Sequence, residues 1–204
     1  MSAARGVLAR HPAEAAPGLL GGRLESDLLG EPVVIRLTEV EAYGGVGEDP
    51  GSHAFRRMTA RNATMFGRAG LLYVYFTYGM HHCANIVTGP EGSAGAVLLR
   101  AGEVVEGVQA ARSRRPSART DRDLARGPAR LATALGLDLA ADGLDLLDPS
   151  SPVRLRLPAS RPVGILTSPR TGVAGPGART PWRFLLDGES SVSPYRPARP
   201  RAEG

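Results

Sequence analysis

The sequence predicts a single α+β domain built on an antiparallel sheet. Three β-rich runs, "LLYVYFT", "HHCANIVTG" and "GAVLLRA", follow one another with no long helix between them, which favours antiparallel pairing over βαβ crossovers. Tyr78-Gly79 falls between the first two runs and reads as the turn of a protruding hairpin. A chain of 204 residues is long enough to bury a real core and fits one domain.

The elements follow in order. Residues 1–11 read as a loose arm, 12–193 as the folded domain and 194–204 as a loose tail. Residues 12–21 form a short helix limited by Pro17 and the Gly21-Gly22 pair. In the strand that follows, side chains repeat every second residue, so Val33, Ile35, Leu37, Glu39, Glu41 and Tyr43 share a face. That row starts apolar and finishes in Glu41 and Tyr43, which a plain core face does not explain. Residues 44–63 are a Gly-, Pro- and charge-rich loop of a length that is commonly functional, and Thr59 caps a short helix through "ARNATMF". Beyond the third strand, 103–114 has helical spacing, and "ARGPARLATALGL" puts Pro128 near a helix start and Gly136 near its end. Between these helices "RSRRPSARTDRDLAR" reads as an exposed arginine-rich connection. "RPVGIL" and "PWRFLL" are two further short strands, separated by the Gly/Pro-rich 171–181. The chain has no internal repeat.

Composition narrows the chemistry. The formal charge is +5, and the chain contains no lysine, so all 25 basic residues are arginine. No side-chain amine is available for a Schiff base, and the lysine-dependent phosphate loop is impossible. With Cys83 alone, an intrachain disulfide and a thiolate-rich metal site are excluded. His81 and His82 alternate across a strand and there is no HExxH spacing, so no metal and no cofactor is expected. No run approaches the roughly 20 apolar residues of a membrane span, and the start lacks a signal-peptide core. The expectation is a soluble cytoplasmic protein that does not touch membranes.

A few polar and aromatic residues stand out. On pattern alone Glu41 is a strand-end carboxylate facing water or an arginine; with Tyr43 one pleat away and a Gly-rich loop following, it reads instead as a partly desolvated proton acceptor that activates water. Strand propensity is enough to account for Tyr73. Tyr75 and Tyr78 differ in parity, and Tyr78 at a hairpin tip suits a wedge entering a base stack. Asn85 and Arg100 sit in otherwise apolar runs, where a polar side chain needs a partner or a ligand. Together these groups fit a planar polar ligand on an anionic backbone.

In order and spacing, "EVEAY", the histidine ten residues after its tyrosine, "TARNATMF", "LYVYFTYGMHHCANI", "AVLLRA", "GPARL" and "PWRF" resemble the monofunctional alkyladenine (3-methyladenine) DNA glycosylases, the type without helix-hairpin-helix motifs. The resemblance runs from about Leu19 to Val192. It implies a curved, barrel-like antiparallel sheet surrounded by helices, and hydrolysis of the N-glycosidic bond of alkylated purines flipped out of double-stranded DNA. The product is an abasic site, with no strand cleavage. It also implies that Glu41 is the general base and Arg100 helps fix the water, while Tyr43, His53, Tyr75 and Asn85 form the base pocket. Tyr78 would fill the gap in the duplex, and the backbone carbonyl of Thr171, in a strand through "RTGV", would hold the water. The partner is then double-stranded DNA containing damaged purines, bound by a monomer associated with the nucleoid. A rival reading is a nucleic-acid-binding module of the same fold without chemistry, which leaves Glu41 unexplained; a second is a hydrolase of free nucleosides, which needs neither the basic surface nor the tip tyrosine.

Overall fold

The computed structural model describes residues 2–198. Helices α1 (Ala3–Leu8) and α2 (Pro12–Leu19) precede strands β1 (Arg23–Ser26), β2 (Val33–Tyr43), β3 (Leu72–Thr77), β4 (His81–Val87) and β5 (Ala96–Glu106). Helices α3 (Val108–Arg114) and α4 (Pro128–Leu135) follow, and then β6 (Val153–Arg156), β7 (Ile165–Ser168) and β8 (Arg183–Leu186). Every pairing is antiparallel, in the order β3-β4-β5-β2-β1-β6, with β8 added to β2 and β7 to β8. This is the expected α+β architecture, a single domain with a curled, half-barrel sheet.

The long strand β2 organises the sheet. One edge carries β5, while the other carries β1 beside residues 33–36 and β8 beside residues 39–41. Opposite β5 the register moves from Leu37–Gly102 to Glu39–Ala101, leaving Thr38 as an extra residue that bulges β2, and then to Val40–Leu99, leaving Arg100 as a compensating extra residue on β5. The bulge changes parity. Val33, Ile35 and Leu37 belong to the core, and after it Val40 and Ala42 take over that role while Glu39, Glu41 and Tyr43 turn to the opposite face. The mixed row of the unbroken alternation is thus two rows joined at a bulge. Gly102 is required at the crossing, because a Cβ there would run into Ile35 and the Arg36 carbonyl.

Helices cover the core face. Helix α4 starts with Pro128, ends on Gly136 in the left-handed region at φ 70°, and buries Leu131, Ala132, Ala134 and Leu135 against β4 and β5. Helix α2 is capped by His11, whose Nδ1 accepts the Ala13 amide, and packs on β2. Pro17 lies within this helix and does not limit it.

Several local expectations change. Residues 3–8 are helical, not a loose arm: Leu8 is buried, and Arg5 bonds the Ala69 carbonyl and Asp145. Residues 103–106 continue β5, because Glu103 lies opposite Arg36 and pairs with it across the strands, and the helix begins only after Gly107. Thr59 caps no helix. Its N–H is taken by the Asn62 side chain, and only a 3₁₀ turn, Ala63–Phe66, follows. The strands "RLES" and "VRLR" were not anticipated. Residues 194–198 carry no regular structure, and 199–204 lie outside the described residues.

The bulge makes a stability prediction. Gly102→Ala should lower the free energy of unfolding by about 1–3 kcal/mol through overpacking, read as a lower urea midpoint at unchanged slope. A midpoint equal to the native one would show that the crossing is slack.

Candidate active site

Glu41 leaves β2 on the face away from the aliphatic core and is fully buried. Three donors converge on it: the Thr171 N–H at 2.6 Å, the Tyr43 hydroxyl at 2.9 Å and Arg100 Nη1 at 3.4 Å. Such donors offset the desolvation of a buried carboxylate. A cavity of about 360 Å³ lies in front of it, and Tyr43, Arg100 and Thr171 all line that cavity. Glu41 itself does not line the cavity and stands behind this wall, bonded to these three groups.

Arg100, from β5, is anchored on both sides. Its Nε donates to Glu39 at 2.8 Å and its Nη2 to Ser193 Oγ at 3.2 Å, which leaves Nη1 for Glu41. Burial works against the guanidinium cation, but the charges of Glu41 and Glu39 outweigh it and hold the Arg100 pKa above its ordinary value. For Glu39 burial is likewise opposed by the Arg100 charge and by the Arg183 hydrogen bond, and its pKa is lowered. Both ends of the pair stay charged.

The walls are aromatic. Tyr43 is a phenol throughout the physiological range, its pKa raised by burial and then by the Glu41 charge, so it donates to that carboxylate. Behind it Arg170 lies 4.6 Å from the ring centroid, held by a bidentate pair with Asp49 at 2.6 and 2.7 Å. Elsewhere in the lining His53 packs edge-on to Tyr75, with centroids 4.6 Å apart, and His53 Nδ1 meets the Tyr73 hydroxyl at 3.3 Å. The Asn62 side chain donates to the His53 carbonyl at 2.9 Å and to the Arg57 carbonyl at 3.1 Å, tying down this part of the loop. Burial, and then the Arg61 charge, push the His53 pKa below its usual 6.5, so the ring is neutral. Burial also raises the Tyr73 pKa to about 12. Asn85 enters from β4, buried, its Nδ2 donating to the Tyr73 carbonyl at 3.1 Å.

At the rim stands Tyr78. Tyr78 and Gly79 both have positive φ, 52° and 66°, and the Met80 N–H returns to the Thr77 carbonyl, which makes the tip a type I′ turn. For a bulky residue the left-handed region is an outlier, and this ring is 88% exposed. Strain and exposure coincide at the cavity mouth.

The structure therefore brings Glu41, Tyr43, His53, Tyr75, Tyr78, Asn85, Arg100 and Thr171 to one cavity. One detail differs. Thr171 lies in a turn after β7, not in a strand, because Pro169 ends the pairing and Gly172 takes φ 74°, and its contact with Glu41 is through the amide N–H. Sequence reasoning missed Glu39, Asp49, Arg170, Arg183 and Ser193, and set Tyr73 aside as strand filling. Asp49 sits between Gly44 and His53 in the loop already marked as functional, and its arginine partner is 121 residues away, so spacing held no signal for the pair. Among the described residues no cluster of His, Cys, Asp or Glu fits a metal ion, and no helix is long and apolar enough to cross a membrane.

The neutral His53 predicts a pH effect on stability. Because the folded pKa lies below 6.5, the unfolded chain binds the proton first, so stability is full above about pH 6.5 and falls as pH drops through the folded pKa. Urea unfolding at pH 7.5 and 5.5 should show a smaller acid loss for His53→Gln than for the native chain. Equal losses would place the ring in an ordinary aqueous setting.

Comparison with known proteins identifies the family of the whole chain. A family model described as Methylpurine-DNA glycosylase (MPG) matches residues 6–190. A protein of Streptomyces avermitilis is 54% identical over 200 residues, covering 97% of this chain and 93% of its own length. One of Leifsonia xyli subsp. xyli is 57% identical over 189 residues, covering 90% and 87%. A third, from Nocardia farcinica, is 54% identical over 198 residues, covering 95% and 91%. All three carry the name "Putative 3-methyladenine DNA glycosylase". With a family model and close relatives each spanning nearly its whole length, the chain belongs to the methylpurine-DNA glycosylase family.

Proposed function

We propose that this protein hydrolyses the N-glycosidic bond of alkylated purines, 3-methyladenine above all, in double-stranded DNA and leaves an abasic site. The carrying observation is a buried glutamate held by three donors that also line an aromatic cavity. A carboxylate offers about four acceptor positions, and three are taken. The fourth accepts a proton from water admitted between Tyr43, Arg100 and Thr171. The water oxygen bonds to C1′, its proton passes to Glu41, and the electrons of the breaking C1′–N bond leave with the base. A purine alkylated at N3 or N7 is cationic and departs neutral.

Reaching C1′ requires the nucleotide to leave the duplex, at a cost of a few kcal/mol, least for damaged or mismatched pairs. Tyr78 offsets part of that cost by stacking in the vacated space. In the cavity, the base lies between Tyr43 on one side and His53 with Tyr75 on the other, where aromatic faces attract a cationic purine by roughly 0.5–2 kcal/mol. The neutral His53 adds no repelling charge. Asn85 reads the base edge and excludes the exocyclic amine of guanine. The absence of lysine supports a reaction that stops at the abasic site, since strand cleavage by this route needs an amine nucleophile. All of these groups come from one chain, so a monomer is sufficient.

Single-turnover release of base from a duplex carrying one alkylated purine tests the assignment. Glu41→Gln should slow release by about 10²–10⁴-fold, the usual worth of a general base, while lesion binding is retained. Tight, lesion-independent binding with no release by either protein would instead identify a binding module without chemistry.

A further inference from the structure

Beyond the family-matched segment, the chain continues as "SVSPYRP", residues 191–197, and returns to the site. Prolines at 194 and 197 restrict Ser193 and Arg196 to extended conformations, and alternation along an extended chain gives Ser191 and Ser193 the same side. Both hydroxyls point inward. Ser191 Oγ meets Thr38 Oγ1 at 2.9 Å; Ser193 donates its N–H to Glu39 Oε2 at 2.6 Å and its hydroxyl to Glu39 Oε1 at 2.9 Å. The same hydroxyl accepts Arg100 Nη2 at 3.2 Å, and the Ser193 carbonyl accepts Arg183 Nη2 at 2.8 Å. Arg126 takes the Val192 carbonyl at 2.8 Å on the other side. Farther on, the Arg196 carbonyl accepts the Gly172 N–H at 2.9 Å, in the turn whose Thr171 N–H touches Glu41.

We propose that Ser193 is a positioning residue for hydrolysis, acting through Arg100. Arg100 has rotamers to spare, and its geometry follows from what holds Nε and Nη2. Glu39 holds the first and Ser193 the second, so Nη1 is left aimed at Glu41. Glu39 is itself shared with Arg183, and the two Ser193 bonds keep its carboxylate from turning toward that competitor. The strap thus ties the arginine of β5 and the Thr171–Gly172 turn to one extended segment. Ser191 lies on the same strap but bonds only Thr38, outside this relay.

The inference rests on Glu41 and Arg100 acting as proposed above, and the test separates the two. Ser193→Ala, Ser193→Thr, Ser191→Ala and Glu41→Gln are compared with the native chain in single-turnover base release, lesion-duplex affinity and thermal unfolding. Ser193→Ala should slow release about tenfold, the scale of one hydrogen bond to a charged group, with affinity within about twofold. Ser193→Thr should recover most of the rate, and Ser191→Ala should lose stability but keep the rate. A native rate in Ser193→Ala, with Glu41→Gln inactive, overturns the positioning role and leaves the glycosylase reading intact. Rate and affinity falling together in both serine variants also overturn it, since that marks a purely structural strap. Solvent exchange of the Arg100 Nη2–H protons, assigned with Arg100→Lys, reads the Ser193 contact without turnover. Faster exchange in Ser193→Ala but not in Ser191→Ala supports the role even if no lesion is released, and equal exchange overturns it.

Discussion

Glu39, Glu41 and Tyr43 depend on the bulge in β2. Were the strand regular, both carboxylates would stay on the face of Val33, Ile35 and Leu37, in an aliphatic core where an unpaired charge is not tolerated. The register change lets Val40 and Ala42 complete the core and turns the acids toward the arginines. It also explains a glycine in the middle of β5, since the two strands approach too closely at Gly102 for any side chain. Backbone geometry there decides which face of the molecule has chemistry.

Turning two carboxylates to one face creates a second constraint. Glu39 and Glu41 are both fully buried, and like charges in a poorly solvated place repel unless cations lie between them. Arg100 fills that position and Arg183 balances the second charge. A guanidinium suits the task because its fork donates in several directions at once, where an ammonium is a single point. Buried pairs of this kind are weak contributors to net stability, since desolvation consumes most of their attraction. Their use here is orientation, because both oxygens of Glu39 and all three nitrogens of Arg100 have a partner.

Much of this was legible in the residues. The succession of strands, the hairpin and the Pro128 to Gly136 helix follow from local rules, and the eight residues gathered around the cavity are those that order, spacing and resemblance single out. What escaped depends on distance along the chain. Glu39 looked like one more residue of an alternating row because a bulge leaves no local mark except a glycine on the neighbouring strand. Arg170, Arg183 and Ser193 acquire meaning only when the sheet brings them beside residues 121 to 154 positions earlier. The short strands β1 and β6 carry too few periods to stand out, since each has only four residues and arginines are among them.

The site is also divided mechanically. Its floor is over-determined, with carboxylates, guanidinium groups and the Ser193 strap each held by several bonds, so the position of the Glu41 oxygens varies little. Its rim is a two-strand hairpin ending in a tyrosine held at positive φ and surrounded by solvent. Under the proposed reaction, a flipped nucleotide would impose opposite demands on the two parts. Attack on C1′ tolerates little error in the placement of water, since misplacement by about 1 Å can cost a hundredfold. Filling a gap in a duplex instead requires a side chain that stands away from its own core, because a ring packed at home would have to be extracted before it could stack between bases. Tyr78 stands away from the core through its turn conformation, as gap filling would require, and Glu41 is fixed by burial, as attack on C1′ would. The bulge and the hairpin are the backbone irregularities that give one antiparallel sheet both a fixed, buried carboxylate and an exposed aromatic tip.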